Sequence, residues 1–416
     1  MNTPGRAKGD EEKLYDLNGL ENFLDALTPA QATITQTVLR YGSVSEAAKA
    51  MGMNPSTLRG KLSEARRRAA KRGWAPEYAT HGEHPTPEGY NVKGVSTYFR
   101  KNDETGGMEV RGRWVKTDKE KEHQLAVLLD AIEPLADKFR GKSPKARAPK
   151  ALDRDLLCVY PMGDPHVGMF SWAKETGEDF DLKIAEDHLI TAVDQLVSIA
   201  PPAREALVIN LGDFFHADNK SNTTTAGTRL DLDTRWAKVL SVGIRTMRRI
   251  IDRALERHRV VNVMCAIGNH DEHGSIVLAL CLEAFYSNNP RVKVSTTPDP
   301  FQFFRFGQCL LGVTHGNTVK PDQLPNIMAC DRKEDWGATS YRHWYTGHVH
   351  HDSLREYAGC KVETFRTLAP RDAWHHASGY RSGQDMKVDV LHREWGHLNR
   401  HIVGIQQIKA RSGGAK

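Results

Sequence analysis

Short apolar runs that end in polar clusters recur along the C-terminal two thirds of the chain. The runs at residues 156–162, 206–211 and 260–267 have the length of a strand, and each is followed at once by a polar cluster that begins with Gly. Helical segments separate these runs, so strands and helices alternate. This alternation predicts an α/β domain over residues 154–408.

The N-terminal pattern is helical instead. A helix from about residue 27 to residue 39 precedes an amphipathic helix that ends at Gly52. Asn54 is a natural N-cap and Pro55 a natural first residue for a third helix. The spacing predicts a small all-α helix-turn-helix domain over residues 20–78. Its inward-facing positions are Ala47, Ala48, Met51, Leu58 and Leu62.

Two segments are predicted to connect these domains. In residues 88–140, strand-like runs around Tyr98 and Trp114 flank a Glu-Thr-Gly-Gly turn, which predicts a short β-hairpin followed by a charged helix. Residues 141–153 are basic and rich in Pro and Ala, which predicts a flexible linker.

Composition narrows the class of protein. The hydrophobic fraction is 39%, the N-terminus is polar, and no apolar run has the length of a membrane span. The six cysteines are scattered, without the clustering of a disulfide framework or zinc knuckle. We therefore expect a cytoplasmic protein with reduced thiols and no membrane partner. The net charge is +6, and the excess falls within residues 1–150.

Metal-binding side chain types follow five of the apolar runs. In an α/β protein, the carboxyl ends of the strands meet at one edge and form the site. Asp, Asn and His at that edge can hold two divalent ions about 3.5–4 Å apart. Mixed oxygen and nitrogen ligands favour manganese, iron or zinc over magnesium. The residues are Asp164, His166, Asp213, His216, Asn269, His270, Asp271, His315, His348 and His350.

The order of these motifs resembles the calcineurin-like metallophosphoesterase superfamily. It reads Asp-x-His, Gly-Asp, Gly-Asn-His-Asp, His-Gly and Gly-His-x-His. The resemblance implies a four-layer αββα sandwich and two divalent ions, with Mn²⁺ preferred and Fe²⁺ or Zn²⁺ as alternatives. One ion would be bound by Asp164, His166, Asp213 and His350. The other would be bound by Asp213, Asn269, His315 and His348, so that Asp213 bridges.

The resemblance also implies roles for residues that do not bind metal. His270 corresponds to the family's non-ligand histidine, which acts in catalysis, and Asp271 is expected to orient its loop. His216 stands where many protein phosphatases of the superfamily have Asp. That substitution resembles the recombination and double-strand-break repair nucleases and implies a second catalytic histidine beside the scissile phosphate. Arg366, Arg371 and Arg381 are candidates for a phosphate-binding rim or for a solvated loop.

The helix after Gly52 is the candidate DNA-binding element. Between residues 59 and 72, seven basic residues stand against Glu64. Such density suits phosphate contacts, and in a helix-turn-helix this helix enters the major groove. A structural helical hairpin with a solvated basic face is the alternative. The candidate contacts are Ser56, Thr57, Arg59, Lys61, Arg66, Arg67 and Arg68.

Together these features predict a hydrolase that cleaves DNA phosphodiesters through a metal-activated water and is targeted by its N-terminal module. Such a combination suits a nuclease that is encoded by a bacteriophage or mobile element and acts in the host cytoplasm. Two alternatives stay open: a phosphatase or cyclic-nucleotide phosphodiesterase localised by its basic module, and an inactive DNA-binding regulator. DNA is the expected partner, a separate ATPase chain and a second copy of this chain are further candidates, and no ATPase motif occurs in the sequence.

Overall fold

The computed structural model describes residues 17, 20–71, 90–101, 108–119, 140–144, 147–150 and 152–412. The chain divides into two compact units, Met1–Asp130 and Ala131–Lys416. Within the described ranges, no helix combines the length and the apolar character needed to cross a membrane.

The first unit begins with short helices around an apolar core. Its elements are a 3-10 helix (Leu20–Ala26), α1 (Pro29–Tyr41), α2 (Val44–Ala50) and α3 (Pro55–Lys71). Asn54 Oδ1 accepts a hydrogen bond from the Ser56 backbone N–H at 2.9 Å, so the predicted cap at the start of α3 is present. Leu58 and Leu62 are buried with Ala47 and Ala48, as the spacing predicts. Residues 72–78 of the predicted domain lie outside the described residues.

Two antiparallel strands complete the described part of this unit. Strand β1 (Tyr90–Lys101) pairs with β2 (Met108–Lys119) from Tyr90 opposite Lys119 to Lys101 opposite Met108. These are the strands predicted on either side of the Glu-Thr-Gly-Gly turn. The turn itself and most of the predicted charged helix, residues 120–139, lie outside the described residues.

The second unit contains two mixed sheets. Its strands are β3 (Asp153–Met162), β4 (Ala203–Asn210), β5 (Val260–Cys265), β6 (Val292–Val294), β7 (Gln302–Phe306), β8 (Cys309–Val313), β9 (Tyr341–Thr346), β10 (Ser353–Tyr357), β11 (Cys360–Thr364), β12 (Asp385–His392) and β13 (Gly396–Gly404). One sheet has six strands in the order β13-β12-β3-β4-β5-β6, and the other has five in the order β10-β11-β9-β8-β7. Neighbours β3, β4 and β5 are parallel, as are β8 and β9.

Helices connect these strands. They are α4 (Ala173–Thr176), α5 (Leu182–Ile199), α6 (Trp236–Arg257), α7 (Glu272–Tyr286), a 3-10 turn (Pro321–Gln323), α8 (Leu324–Asp331), α9 (Lys333–Gly337), α10 (Ala373–Ala377) and α11 (Ile405–Ser412). The mixed α/β class predicted for this part of the chain is confirmed.

Alternating residues of the central strands face two different apolar clusters. Cys158 and Tyr160 of β3 pack in the cluster formed with the helices. Leu157 and Val159 pack in a second cluster that contains Leu311 of the other sheet. Because both faces of β3 are covered beyond its first three residues, residues 156–162 form a continuous apolar run rather than an alternation of polar and apolar residues.

The start of the segment predicted as a linker packs against the second unit. The Gly141 backbone N–H donates to Ala284 O at 2.9 Å, and Asn289 Nδ2 donates to the buried Ser143 Oγ at 3.1 Å. These bonds attach residues 141–143 to the C-terminal end of α7. The domain boundaries and the flexibility of the rest of the segment stay predictions.

A neutral histidine lies in the core between the sheet and its helices. His258 is fully buried, and its Nδ1 lies 2.9 Å from Ala203 O, while its Nε2 lies 2.8 Å from Tyr160 Oη. Since a carbonyl only accepts, Nδ1 carries the proton and Nε2 accepts from the tyrosine. Burial lowers the pKa of His258 to about 4.

This histidine should make the fold acid-sensitive. In the unfolded chain this histidine binds a proton below about pH 6.5, whereas in the folded chain it stays neutral down to about pH 4. The free energy of unfolding therefore falls by about 2–3 kcal/mol as the pH is lowered from about 6.5 to about 4. His258→Gln, which cannot titrate, should lose less stability than wild type when urea unfolding in EDTA is compared at about pH 7 and about pH 4.5. Equal losses in the two proteins would contradict this role.

Candidate metal centre

The candidate residues lie on loops that follow five strands. Strands β3, β4 and β5 lead to Asp164, Asp213 and Asn269, and strands β8 and β9 lead to His315 and His348. Because β3, β4 and β5 are parallel neighbours, their carboxyl ends meet at one edge of the six-stranded sheet. The second sheet brings its two loops to the same place, as the distances show.

Three groups of potential ligands form there. Asp164, His166 and His350 offer atoms within 4.8 Å of one another, as do Asp213, His315 and His348. The third group, His166, His216 and His270, shares His166 with the first. In the first group His350 Nε2 lies 3.1 Å from His166 Nε2 and 3.5 Å from Asp164 Oδ1.

Asn269 lies beside the group of Asp213, His315 and His348. His315 Nε2 lies 3.2 Å from Asp213 Oδ2 and 3.0 Å from Asn269 Oδ1. The structure thus brings all seven predicted ligands together, and their roles as ligands and the bridging role of Asp213 stay predictions.

Hydrogen bonds to the backbone fix the ring orientation of two histidines. His315 Nδ1 donates to Leu211 O at 2.8 Å, and His270 Nδ1 donates to His216 O at 2.9 Å. A carbonyl can only accept, so Nδ1 carries the proton in both rings. Nε2 of His315 therefore faces Asp213 and Asn269, and it is the nitrogen that would bind a metal ion after losing its proton.

Asp271 was predicted to orient its own loop, but its carboxylate bonds to the loop that carries Asp213. Its side chain is fully buried and accepts from the backbone N–H groups of Asp213 and Phe215 at 3.1 and 3.0 Å. Burial raises the pKa of the Asp271 carboxyl well above its ordinary value, and the neighbouring Asp213 raises it further. The residue therefore holds the Asp213 loop in position.

Five of the candidate ligands have strained backbones. Positive φ values are uncommon outside glycine, and they persist where surrounding contacts impose them. Within the described residues, only Asn222 shares this conformation with them among the non-glycine residues. The five are Asp164 (φ 44°), His166 (φ 45°), Asp213 (φ 49°), His348 (φ 69°) and His350 (φ 56°).

Glycines allow the loops to approach one another closely. A Cβ on Gly268 would lie 2.1 Å from the Asp213 backbone N, and a Cβ on Gly212 would lie 2.5 Å from His315 Nδ1. A Cβ on Gly347 would lie 2.6 Å from Asp164 Oδ2. A side chain at the glycine of Gly-Asp, Gly-Asn-His-Asp or Gly-His-x-His would clash with a neighbouring loop, which explains why each motif begins with glycine.

The buried charges of the cluster shift the pKa values of its side chains in different directions. Burial alone would raise the pKa of Asp213, but the charge of His315 and its hydrogen bond hold that pKa well below the ordinary value. Burial lowers the pKa of His166 well below its ordinary value, and His270 adds to this effect. Burial alone would lower the pKa of His315, but the charge of Asp213 raises it to about 10. Asp213 and His166 thus have the protonation states in which they bind metals, whereas His315 would release a proton on binding one.

His216 is buried rather than exposed to substrate. It is 1% exposed, its Nδ1 lies 3.1 Å from His166 Nδ1, and its ring stacks on His270 at 5.2 Å. Burial lowers the pKa of His216 to about 3, and His270 adds to this effect. Its burial does not support the predicted contact with a DNA backbone.

Of the three arginines that were candidates for a phosphate-binding rim, one is held in ion pairs and two line a cavity. Arg366 forms ion pairs with Asp385 at 2.7 Å and Asp352 at 3.4 Å, so it ties loops together. Arg371 and Arg381 line a cavity of about 270 Å³ that reaches His350.

Asp372 and His375 were missed by sequence reasoning. The His375 ring stacks on the candidate ligand His350 at 4.9 Å, and its Nδ1 lies 2.7 Å from Asp372 Oδ1. Asp372 is also the N-cap of α10 and accepts from the His375 backbone N–H at 2.7 Å. An Asp three residues before a His at a helix start was the available signal for this pairing.

The candidate DNA-binding residues lie on α3 of the first unit. Ser56, Thr57, Arg59, Lys61, Arg67 and Arg68 are exposed and Arg66 is partly buried. Arg68 Nε donates to Ala26 O at 2.9 Å, so this arginine also connects α3 to the preceding 3-10 helix. Binding of DNA by these residues stays a prediction.

No family model and no curated protein matches the sequence. Solved structures similar to this chain include an archaeal phosphodiesterase, at 14% identity and TM-score 0.32 over 59% of this chain and 99% of that one. A second is a Streptococcus pneumoniae protein described as a predicted phosphoesterase, at 12% identity and TM-score 0.24 over 60% of this chain and 98% of that one. A third is zinc-complexed Vps29 from Entamoeba histolytica, at 12% identity and TM-score 0.26 over 60% of this chain and 99% of that one.

The glycine packing can be tested directly. Gly268→Ala places a methyl group against Asp213, so we expect a loss of about 1–3 kcal/mol in unfolding free energy. Displacement of the ligand loops should weaken divalent metal binding by about 10–100-fold in titration calorimetry. The matched control is Gly337→Ala, where a Cβ meets nothing within 4 Å. Similar behaviour of the two variants would contradict the role given to Gly268.

Proposed function

We propose that the chain is a metal-dependent phosphoesterase and, more specifically, a DNA nuclease. The observation that carries the proposal is the convergence of two buried carboxylates, one amide and four imidazoles at the carboxyl ends of five strands. The residues proposed to hold one ion are Asp164, His166, Asp213 and His350. The residues proposed to hold the other are Asp213, Asn269, His315 and His348.

The donor set fits such ions. Mixed carboxylate, amide and imidazole ligands favour manganese, iron or zinc over magnesium. Among these, we propose Mn²⁺, the ion that the resemblance implies, with Fe²⁺ or Zn²⁺ as alternatives. Bound divalent ions supply charge stabilisation for phosphoryl transfer and make a coordinated water nucleophilic near neutral pH.

His270 is proposed to act on the substrate. Its Nδ1 is committed to His216 O, which leaves Nε2 to contact an oxygen of the phosphate. Its side chain is 16% exposed, so the ring can be reached from solvent. Buried His216, which stacks beneath His270, is proposed as a positioning residue rather than as a group that touches the phosphate.

The preference for DNA rests on the first unit. The basic exposed face of α3 supplies charge that suits a nucleic-acid backbone. We propose that the first unit binds DNA and raises its concentration near the second.

Cleavage of end-labelled single- and double-stranded DNA with Mn²⁺ tests the function. Asp213→Asn removes a charge from the proposed bridging position, so cleavage should fall by on the order of 10²-fold or more, and EDTA should abolish it. The control is Asp322→Asn, an exposed residue of the Pro321–Gln323 turn, which should cleave like wild type.

Other outcomes would overturn the nuclease proposal. Intact DNA together with rapid hydrolysis of an aryl phosphate monoester would identify a phosphatase. DNA binding without hydrolysis of any ester, in protein loaded with Mn²⁺, would identify a regulator.

The role of α3 is tested by salt dependence. Arg67→Ala should weaken duplex binding at every sequence and lower the slope of log K against log salt by about one. Arg40→Ala, which removes an equally exposed arginine at the end of α1, is the control and should leave the slope unchanged. Equal slopes in wild type and Arg67→Ala would show that Arg67 makes no phosphate contact.

A further inference from the structure

A row of rings extends from the candidate metal centre towards solvent. His350 is the innermost ring, and His375 stacks on it with the two planes 27° apart. Beyond His375 lie the rings of Trp374 and Tyr380, whose centroids are 5.0 and 5.1 Å from it. Trp374 is 63% exposed and Tyr380 is 39% exposed. The two outer rings therefore offer aromatic surface beside the metal centre.

Local hydrogen bonds hold the central ring, His375, and the loop that carries Tyr380. Asp372 Oδ1 accepts from both the backbone N–H and Nδ1 of His375. The Tyr380 backbone N–H donates to His375 O at 3.1 Å, which closes the loop after α10. A surface fixed in this way loses little conformational entropy when a planar ligand stacks on it.

Cationic groups stand beside the rings. Arg371 and Arg381 line the cavity of about 270 Å³ together with Tyr380 and His350. Each guanidinium donates through one Nη to the carbonyl of Tyr380, at 3.3 and 2.6 Å, which orients both groups towards the same loop. Glu178, the acidic residue of the cavity wall, is paired with Lys409. The cavity therefore favours an anion.

More aromatic surface lies on the neighbouring loop. Phe170 and Trp172, which follow the candidate ligand His166 in the chain, are 45% and 50% exposed. Helix α4, which begins directly after Trp172, lies beside α10. Exposed large aromatic side chains grouped at one site are uncommon on a protein surface unless they contact a ligand.

We propose that this aromatic and arginine rim, formed by Trp374, Tyr380, Arg371 and Arg381, binds unpaired nucleobases and the phosphates next to the scissile one. Base faces are covered in a duplex, so stacking on Trp374 requires a single-stranded or frayed segment. Stacking rings with arginines beside them suit single-stranded nucleic acid. The inference rests on the proposed function, and it names single-stranded DNA as the substrate class at the metal centre.

The test is binding by the full-length protein in EDTA, so that no cleavage occurs. Fluorescence anisotropy compares a labelled single-stranded thymidine pentamer with an abasic pentamer of equal charge. Stacking of one base contributes about 1–3 kcal/mol, so wild type should prefer the thymidine pentamer by about 5–150-fold. Trp374→Ala should lose most of this preference, and Trp374→Phe should retain it because the ring is kept.

The matched control is Trp395→Ala. Trp395 is also 63% exposed, but it follows β12, whose last residue pairs with Leu156 near the start of β3, at the opposite end of the sheet from the metal centre. This variant should bind both pentamers like wild type. Since both pentamers carry the same charge, binding through basic helix α3 cancels in the comparison.

The outcomes separate the rim from the proposed function. An unchanged preference in Trp374→Ala, or equal weakening of both pentamers, would overturn the inference even if the protein cleaves DNA. If wild type hydrolyses no phosphodiester with Mn²⁺, the proposed function fails, while the binding comparison still decides whether the rim stacks bases.

Discussion

Buried negative charge at the carboxyl ends of the strands is the constraint on which the rest of the site depends. Asp164 and Asp213 are at most 1% exposed, and an isolated buried carboxylate is strongly unfavourable. Backbone N–H groups and imidazoles compensate for it: the His348 N–H donates to Asp164 and the His270 N–H donates to Asp213. These donors must come close, and the positive φ angles and the glycines both follow from that requirement.

The part of the site that follows strands could be predicted from sequence. Asp213 comes three residues after the end of β4, and a strand that is buried on both faces is visible as a continuous apolar run. The local sequence pattern therefore predicts which loops carry the candidate metal ligands. It also predicts the division of the second unit into strands and helices.

What could not be predicted depends on contacts between distant segments. His375 lies beside His350 because a loop between β11 and β12 folds back over the site, and no local spacing encodes that path. Arg366 looked like a surface cation, but its partners Asp352 and Asp385 are distant in sequence and close in space. The burial of His216 also depends on packing against His166 rather than on its motif.

The candidate ligands come from both sheets, and this has a thermodynamic consequence. Asp164, Asp213 and Asn269 belong to loops of the six-stranded sheet, whereas His315 and His348 belong to loops of the five-stranded sheet. An ion bound by residues of both loop sets would cross-link the two sheets. It would bind the protein when the sheets are packed together but not when they are separated. Each tenfold rise in free ion above the dissociation constant would then add about 1.4 kcal/mol to the work of separating the sheets. Metal supply would thus set how readily the apolar interface between the layers opens, and with it the susceptibility of the chain to proteolysis.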